Sequence, residues 1–420
     1  MASFQAPKGT FDVLPEQERA RAVVNDATGA TLGRAGYRRI ETPMFEDTSL
    51  FARGVGEATD IVRKEMFTFE DGGGRSITLR PEGTAPVCRA YMEHGMHRLP
   101  QPVKLWYSSS FFRYERPQEG RYRQFNQIGA EAIGSDSPLV DAEIIVLLDQ
   151  ILRGLGIGDL TLKLSSLGST PERMTYRDEL RAYLRDHEAD LSEEVRSRID
   201  LNPMRAFDSD HPGTREVMAG APTMLDRLDG EDAAHFEEVK ALLDAAGVAY
   251  VLDPTLVRGL DYYNRTVFEY DCARLGAQSG IGGGGRYDGL VEILGGPATP
   301  AIGWASGIER ILLAMDEVGP GGGVDVFIVS AERREDAFEL ARGLRADGIG
   351  TEIDLAGRSF KGQMKQADRS GAMVAVILEH DGTAKLRNMR SGEQREVEAG
   401  GEAEAVADEL ERSPATLPDS

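Results

Sequence analysis

Helical and strand periodicities take turns along the first 170 residues. Residues 17–36 read as a helix that stops near Gly36, and Tyr37 to Pro43 as an extended segment. Pro43 has no N–H for a ladder, so it belongs at a strand start or edge. Ser76 to Arg80 reads as a strand, after which Glu82, Gly83 and Thr84 open a helix running to about Met92. Residues 103–134 predict a strand hairpin and 139–155 an apolar helix. From Thr170 to about Val248 the pattern turns helical and polar, and strand-rich sequence returns over 249–309. Pro320-Gly321-Gly322-Gly323 marks a linker. Beyond it, 324–331, 349–355 and 373–379 read as strands and 332–347 and 359–370 as helices, which predicts a small α/β domain. Residues 384–398 predict a terminal hairpin, and 402–420 a frayed helix and loose tail.

At 420 residues the chain predicts two or three domains. No apolar run is long enough to span a membrane, and Met1 to Asp12 lacks an apolar signal region. Cys88 and Cys272 form no CxxC pair, so a cytoplasmic protein with reduced thiols is expected. His94 and His97 have no third metal ligand near them in sequence, and no protein metal site is predicted. The net charge of −22 argues against broad, nonspecific nucleic-acid binding and leaves only local basic patches. One is residues 104–123, with five basic and two acidic groups. Another is Arg358, Lys361, Lys365 and Arg369, the last three spaced to line one helix face, where a solvated surface is the competing reading. Residues 171–250 hold ten basic against nineteen acidic side chains. A broad grip on RNA is not expected there, although Arg173, Arg177 and Arg181 could make point contacts.

The candidate chemistry centres on Phe112-Arg113-Tyr114-Glu115 and Arg121-Tyr122-Arg123-Gln124-Phe125. If the second strand runs unbroken from 121, Arg121, Arg123, Phe125, Gln127 and Glu131 share a face. Guanidinium forks suit phosphate oxygens, a ring suits a flat purine, and the amide and carboxylate suit a small polar ligand. A salt-bridged outer face is the plainer reading of that hairpin alone. Glu82 and Thr84 at a strand-to-helix junction can bind an ammonium or simply cap the helix. Arg258 beside Gly259 can reach a ligand at a turn, and Tyr262 and Tyr263 can frame a ring or merely pack. Gly280 to Gly285 formally contains G-x-G-x-x-G, but the strand–turn–helix context and the later acidic residue of a dinucleotide site are missing. Backbone brought close to a small ligand, with Tyr287 as a wall, fits better than a nicotinamide enzyme, and a flexible turn remains the alternative. Arg310 falls near the start of a helix after Ala301 to Gly307, where anions are favoured.

In this order the segments resemble the histidyl-tRNA synthetase family of class II aminoacyl-tRNA synthetases, from Pro7-Lys8-Gly9-Thr10-Phe11-Asp12 to about residue 400. Gly36 to Glu46 resembles motif 1, Arg113 to Phe125 motif 2 and residues 301–315 motif 3. Leu256 to Tyr263 and Gly282 to Tyr287 resemble the two histidine-specific signatures. The resemblance implies an α+β fold, with a class II synthetase-like antiparallel sheet flanked by helices. It also implies a catalytic domain over 1–320 with a helical insertion at 171–250, an anticodon-binding-like α/β domain over 324–400, a tail over 401–420 and a homodimer. The implied activity is ATP-dependent activation of L-histidine and its transfer to tRNA(His), with Mg2+ as cofactor and no membrane partner. Arg113, Glu115, Arg121, Phe125 and Arg310 would hold ATP, and Glu82, Thr84, Gln127, Glu131, Tyr262, Tyr263 and Tyr287 would hold histidine. Arg258 would act at the reacting carboxylate and α-phosphate, with Arg113 and Arg310 as the other catalytic cations. Arg116 and Gln118 would approach the tRNA acceptor end, and Arg358, Lys361, Lys365 and Arg369 would touch RNA. The alternative is a catalytically silent paralogue serving as a regulatory subunit of ATP phosphoribosyltransferase. That family shares the core but lacks the last domain and catalytic residues, whereas Arg113, Arg258 and Arg310 are present here.

Overall fold

A computed structural model describes residues 4–56, 59–276, 278–318 and 324–412. The expected linker Pro320 to Gly323 lies outside the described residues. The chain forms two compact units, Met1–Val318 and Gly319–Ser420.

The first unit is built on an eight-stranded sheet. Its spatial order is Arg38–Arg39, Val103–Phe112, Gln124–Ile133, Ala301–Gly307, Gly280–Arg286, Asn264–Cys272, Leu160–Ser166 and Tyr250–Leu252. The six inner strands are antiparallel to their neighbours. The two short edge strands pair parallel. The expected helix-flanked antiparallel sheet is present, with parallel additions at both edges.

Alternation along each strand assigns the two faces. Ile128, Ala130 and Ala132 join one core, with Trp304, Phe268 and the helices Pro15–Arg34, Pro138–Gly154 and Gly230–Ala245. Tyr107, Phe111 and Ile133 join the other, with Val87, Cys88 and Tyr91 of the helix Thr84–Glu93. The helix Pro138–Gly154 shows how local sequence sets this up. Ser137 accepts the Leu139 N–H at 3.3 Å, and Pro138 sits in the first turn, where its missing N–H costs nothing. Ile144, Ile145, Leu148, Ile151 and Leu152 then recur at helical spacing and are fully buried, each contributing about 1.5–3 kcal/mol.

The helical stretch expected over 171–250 divides in two. The helices Thr170–Asp186, Glu193–Arg196 and Pro212–Ala219 pack around Tyr176, Leu180, Leu184 and Ile199 on the second face. The helix Gly230–Ala245 instead buries Phe236, Val239 and Leu243 in the first core, so it belongs to the sheet's own layer. The three arginines that could make point contacts with RNA already hold protein oxygens. Arg177 donates to the Leu201 carbonyl at 2.8 Å, Arg181 pairs with Asp178 at 2.5 Å, and Arg173 holds two carbonyls of the core.

The second unit is a five-stranded sheet in the order Thr351–Ile353, Val326–Val329, Val374–Leu378, Ala384–Asn388 and Gln394–Val397. The first three strands are parallel and the last two add antiparallel. The helix Glu402–Arg412, expected to fray, is docked. Its Val406 is fully buried against Val376, Leu386 and Ala341, while residues 413–420 lie outside the described residues. Lys361, Lys365 and Arg369 line the exposed side of the helix Phe360–Arg369 and carry no ion pair among the described residues. Arg358 differs: Asp354 accepts its backbone N–H and its guanidinium, both at 2.6 Å.

Candidate active site

A cleft of about 810 Å³ opens on the face of the sheet that carries Phe125 and Gln127. Its floor is the strand Gly280–Arg286. This run is an inner strand of an antiparallel sheet, neither a flexible turn nor a strand-to-helix phosphate loop. Bare backbone is required there. A Cβ on Gly283 would lie 2.5 Å from the Phe268 carbonyl oxygen, and one on Gly284 1.9 Å from that of Gly303.

The wall comes from the loop between Phe112 and Gln124. The second strand begins at Gln124 and not at Arg121, because the Arg123 N–H is taken by the Gly9 carbonyl at 2.7 Å. Arg121 pairs across a tight turn with Gln118, where Gly120 has φ of 72°. The expected common face therefore breaks at Arg123, whose guanidinium lies 3.8 Å from the Tyr114 ring centroid, outside the cleft lining. Arg116 and Gln118 are exposed on the loop.

Arg113, Glu115, Arg121, Phe125, Gln127, Arg258 and Arg310 all line the cleft. Arg113 stacks its guanidinium 5.3 Å from the Phe125 centroid and donates to the Pro81 carbonyl at 2.8 Å. Glu115 is 3.8 Å from both Arg113 and Arg121, a loose pairing of one carboxylate with two cations. Arg310 donates to the carbonyls of Gly280, at 2.6 Å, and Gln278, and has no carboxylate partner among the described residues. Burial and the nearby Arg121 push its pKa down. Arg113, Arg121 and Arg310 thus form an under-neutralised group suited to an oligophosphate. Arg258 is ion-paired with Glu269, while its Nε has no partner among the described residues.

The remaining candidates lie beneath the cleft as a packed cluster. Glu131 is fully buried on the Gln124–Ile133 strand. Its carboxylate accepts the Tyr287 hydroxyl at 2.6 Å, the Thr84 hydroxyl at 2.8 Å and the Tyr107 hydroxyl at 3.4 Å. A Cβ on Gly303 would sit 1.6 Å from Glu131 Oε2, so the carboxylate rests on bare backbone. Tyr262 packs 4.7 Å from Tyr263 and 5.7 Å from Tyr287, ring centroid to ring centroid. Glu82 spends both oxygens on the helix start, accepting the N–H groups of Thr84 at 2.7 Å and Ala85 at 3.0 Å. The plain capping reading of Glu82 therefore describes this structure.

Burial raises the Glu131 pKa to about 8, against the pull of the hydroxyl donors. Between its usual 4.5 and about 8, the unfolded chain gives up this proton while the folded chain keeps it. Stability contributed by Glu131 is therefore full at low pH and declines as pH rises through that window. The expected result is an unfolding midpoint in urea that falls from about pH 5 to about pH 8, with a shallower fall in Glu131→Gln. Equal slopes in the two proteins would contradict the assignment.

Sequence reasoning missed several cleft residues: Glu65, Lys163, Arg205, Glu269 and Asp271. Glu269 and Asp271 did carry a signal, as half-buried charged positions alternating with buried ones along the second half of the strand Asn264–Cys272. Tyr107 was missed because it reads as one more apolar position of Val103–Phe112. Its role follows from the register that sets it opposite Gly129, where a Cβ would lie 2.4 Å from its hydroxyl.

Known proteins give a consistent picture. Residues 9–311 match the family described as histidyl-tRNA synthetase, and residues 324–409 match the anticodon binding domain. A histidine–tRNA ligase of Rubrobacter xylanophilus is 49% identical over 413 residues, covering 95% of this chain and 97% of that protein. One from Saccharopolyspora erythraea is 48% identical over 423 residues, covering 98% of this chain and 100% of that protein. The apo histidyl-tRNA synthetase of S. aureus superposes with a TM-score of 0.82 at 38% identity, covering 96% of this chain and all of that one. A Bacillus halodurans structure titled ATP phosphoribosyltransferase regulatory subunit/histidyl-tRNA synthetase has a TM-score of 0.65 at 27% identity, covering 87% of this chain and 97% of that one. With its family match spanning most of the first unit and relatives near half identity over almost its whole length, this chain belongs to the histidyl-tRNA synthetase family.

Proposed function

We propose that this chain is a histidine–tRNA ligase that activates L-histidine with ATP and transfers it to tRNA(His). The observation that carries this reading is one cleft lined by Arg113, Arg121, Arg258 and Arg310, large enough for an oligophosphate, on the sheet whose Gln124–Ile133 strand also carries the buried Glu131. Phe125, already stacked by Arg113, takes the adenine face, and Glu115 takes its amino group. Arg113 holds the α-phosphate, and Arg121 and Arg310 the γ-phosphate end. Gln127 and Thr84 take the amino group of histidine. Glu131 reads the imidazole N–H, and the 3.4 Å bond from Tyr107 is the weakest of its present contacts to exchange.

The histidine carboxylate attacks the α-phosphorus, the bond to the β-phosphate oxygen breaks, and pyrophosphate leaves. Two anions meet in this step, and fixed guanidinium groups meet the charge without reorganising. The terminal ribose 3′-hydroxyl of the tRNA then attacks the adenylate carbonyl and releases AMP. Mg2+ fits as a passenger of the triphosphate. Glu65, Glu269 and Asp271 line the cleft separately, each able to fill one position of a shell completed by phosphate oxygens and water. When bound there it screens phosphate charge.

The stripe of Lys361, Lys365 and Arg369 serves the anticodon arm, and Arg116 and Gln118 serve the acceptor end. The protein works as a cytoplasmic homodimer. The regulatory reading is weaker because residues 324–409 match the anticodon binding domain and Arg113, Arg258 and Arg310 all line the cleft. Pyrophosphate exchange into ATP, run with each of the twenty amino acids, is expected to respond to histidine alone. Folded protein with no histidine-dependent exchange would instead support the regulatory paralogue.

A further inference from the structure

We infer that the helical module over 170–228 positions the loop carrying Arg258, with Arg173 as its principal contact, so that amino-acid activation depends on this module without any RNA. The inference rests on the ligase reading above.

Residues 253–263 belong to no strand or helix, so their backbone groups need partners from elsewhere. The module supplies them. Arg173, on the helix Thr170–Asp186, donates from Nη1 to the carbonyls of Asp261 at 3.0 Å and Tyr263 at 2.6 Å. Asn202 donates to the Asp261 carboxylate at 3.0 Å. Arg205 reaches the Gly259 carbonyl at 3.4 Å and itself lines the cleft. The sheet holds the start of the loop, where the Asp253 N–H meets the Leu164 carbonyl at 3.0 Å, and takes the Arg258 guanidinium on Glu269. The helix Thr48–Val55 accepts the Asp261 N–H at the Val55 carbonyl, 3.3 Å away. The backbone carbonyls of Gly259, Asp261 and Tyr263 are left to the module. The loop is thus gripped at Gly259, the residue after Arg258, and at Asp261 and Tyr263 on either side of Tyr262.

The same module touches a second part of the cleft lining. Arg198 pairs with Asp60 at 3.2 Å, and Asp60 lines the cleft. Arg173, Arg177, Arg198 and Arg205 are thus committed to protein oxygens, whereas Arg196 and Arg215 of the same module are exposed. Arg173 touches no reacting atom. It is a positioning residue that acts through Arg258 and Tyr263, and a displacement of about 1 Å at such a group lowers a rate by about 10²-fold.

The test is histidine-dependent pyrophosphate exchange by the full chain, without tRNA. Arg173→Met is expected to lower kcat about 10²-fold while the KM for ATP moves less than about twofold. Arg173→Lys, with a single ammonium in place of a planar fork, recovers part of that loss. Combining Arg173→Met with Arg258→Ala gives a protein no slower than Arg258→Ala alone, because both changes remove the same contribution. Asn202→Ala, a milder change should Arg173→Met not fold, lowers kcat about threefold to tenfold. Wild-type rates in folded Arg173→Met and Asn202→Ala, or losses that multiply with Arg258→Ala, overturn the inference alone. Absence of exchange in the wild-type chain overturns the ligase reading instead.

Discussion

Glu131→Ala is expected to reduce histidine-dependent pyrophosphate exchange by at least about 10³-fold, while the melting temperature shifts by only a few degrees. This fully buried carboxylate collects hydroxyl bonds from three separate segments, at Tyr287, Thr84 and Tyr107. A site built to pair with an N–H discriminates strongly, because a ligand lacking that N–H leaves a buried oxygen unmet. Removing the oxygen removes both the attraction for imidazole and the order of the surrounding hydroxyls. The fold loses less. A buried carboxyl with a pKa of about 8 is strained by desolvation, so its removal relieves one cost while the lost hydrogen bonds add another. Steady-state exchange with a melting curve on the same sample reads both. Turnover near normal in folded protein would take Glu131 out of the recognition site.

The second large effect is expected for Arg258→Ala, with kcat lower by about 10²- to 10³-fold and smaller changes in either KM. Arg258 holds an ion pair with Glu269, and its guanidinium lies 3.2 Å from the place a Cβ on Gly283 would occupy. It is therefore poised on the cleft floor, where a carboxylate and a phosphate would meet. Its loss has two parts. The reaction loses a fixed positive charge, and Glu269 is left as an unpaired anion facing an anionic substrate. Arg258→Ala with Glu269→Gln should therefore be faster than Arg258→Ala alone. If the double variant is slower, Glu269 has a separate positive role, as a ligand for Mg2+ would.

Much of the fold was legible because its elements announce themselves locally. The helix Pro138–Gly154 carries its own cap, proline and apolar stripe, and the second unit alternates strands with helices. The cleft residues Arg113, Arg121, Phe125, Gln127, Arg258 and Arg310 were legible from their short motifs. What failed depended on contacts distant in sequence. The start of the second hairpin strand moved to Gln124 because Gly9, more than a hundred residues earlier, takes the Arg123 donor. The helix Gly230–Ala245 was grouped with its acidic neighbours by charge, yet Phe236, Val239 and Leu243 decide its place. Arg173 and Arg177 read as free cations because nothing in a helical spacing reveals the distant carbonyls they meet, whereas the Asp178–Arg181 pair, three apart on one helix, was open to reading.

The glycine floor of the cleft has a consequence for affinity. Side chains that line a binding surface must usually give up torsional freedom when a ligand arrives, at about 0.5–1.5 kcal/mol for each one immobilised. Gly280, Gly282 and Gly283, which line the cleft, have no such torsions, and the hydrogen-bonded strands on either side fix their amides in advance. Whatever settles on that stretch meets a surface whose entropy was already surrendered when the chain folded.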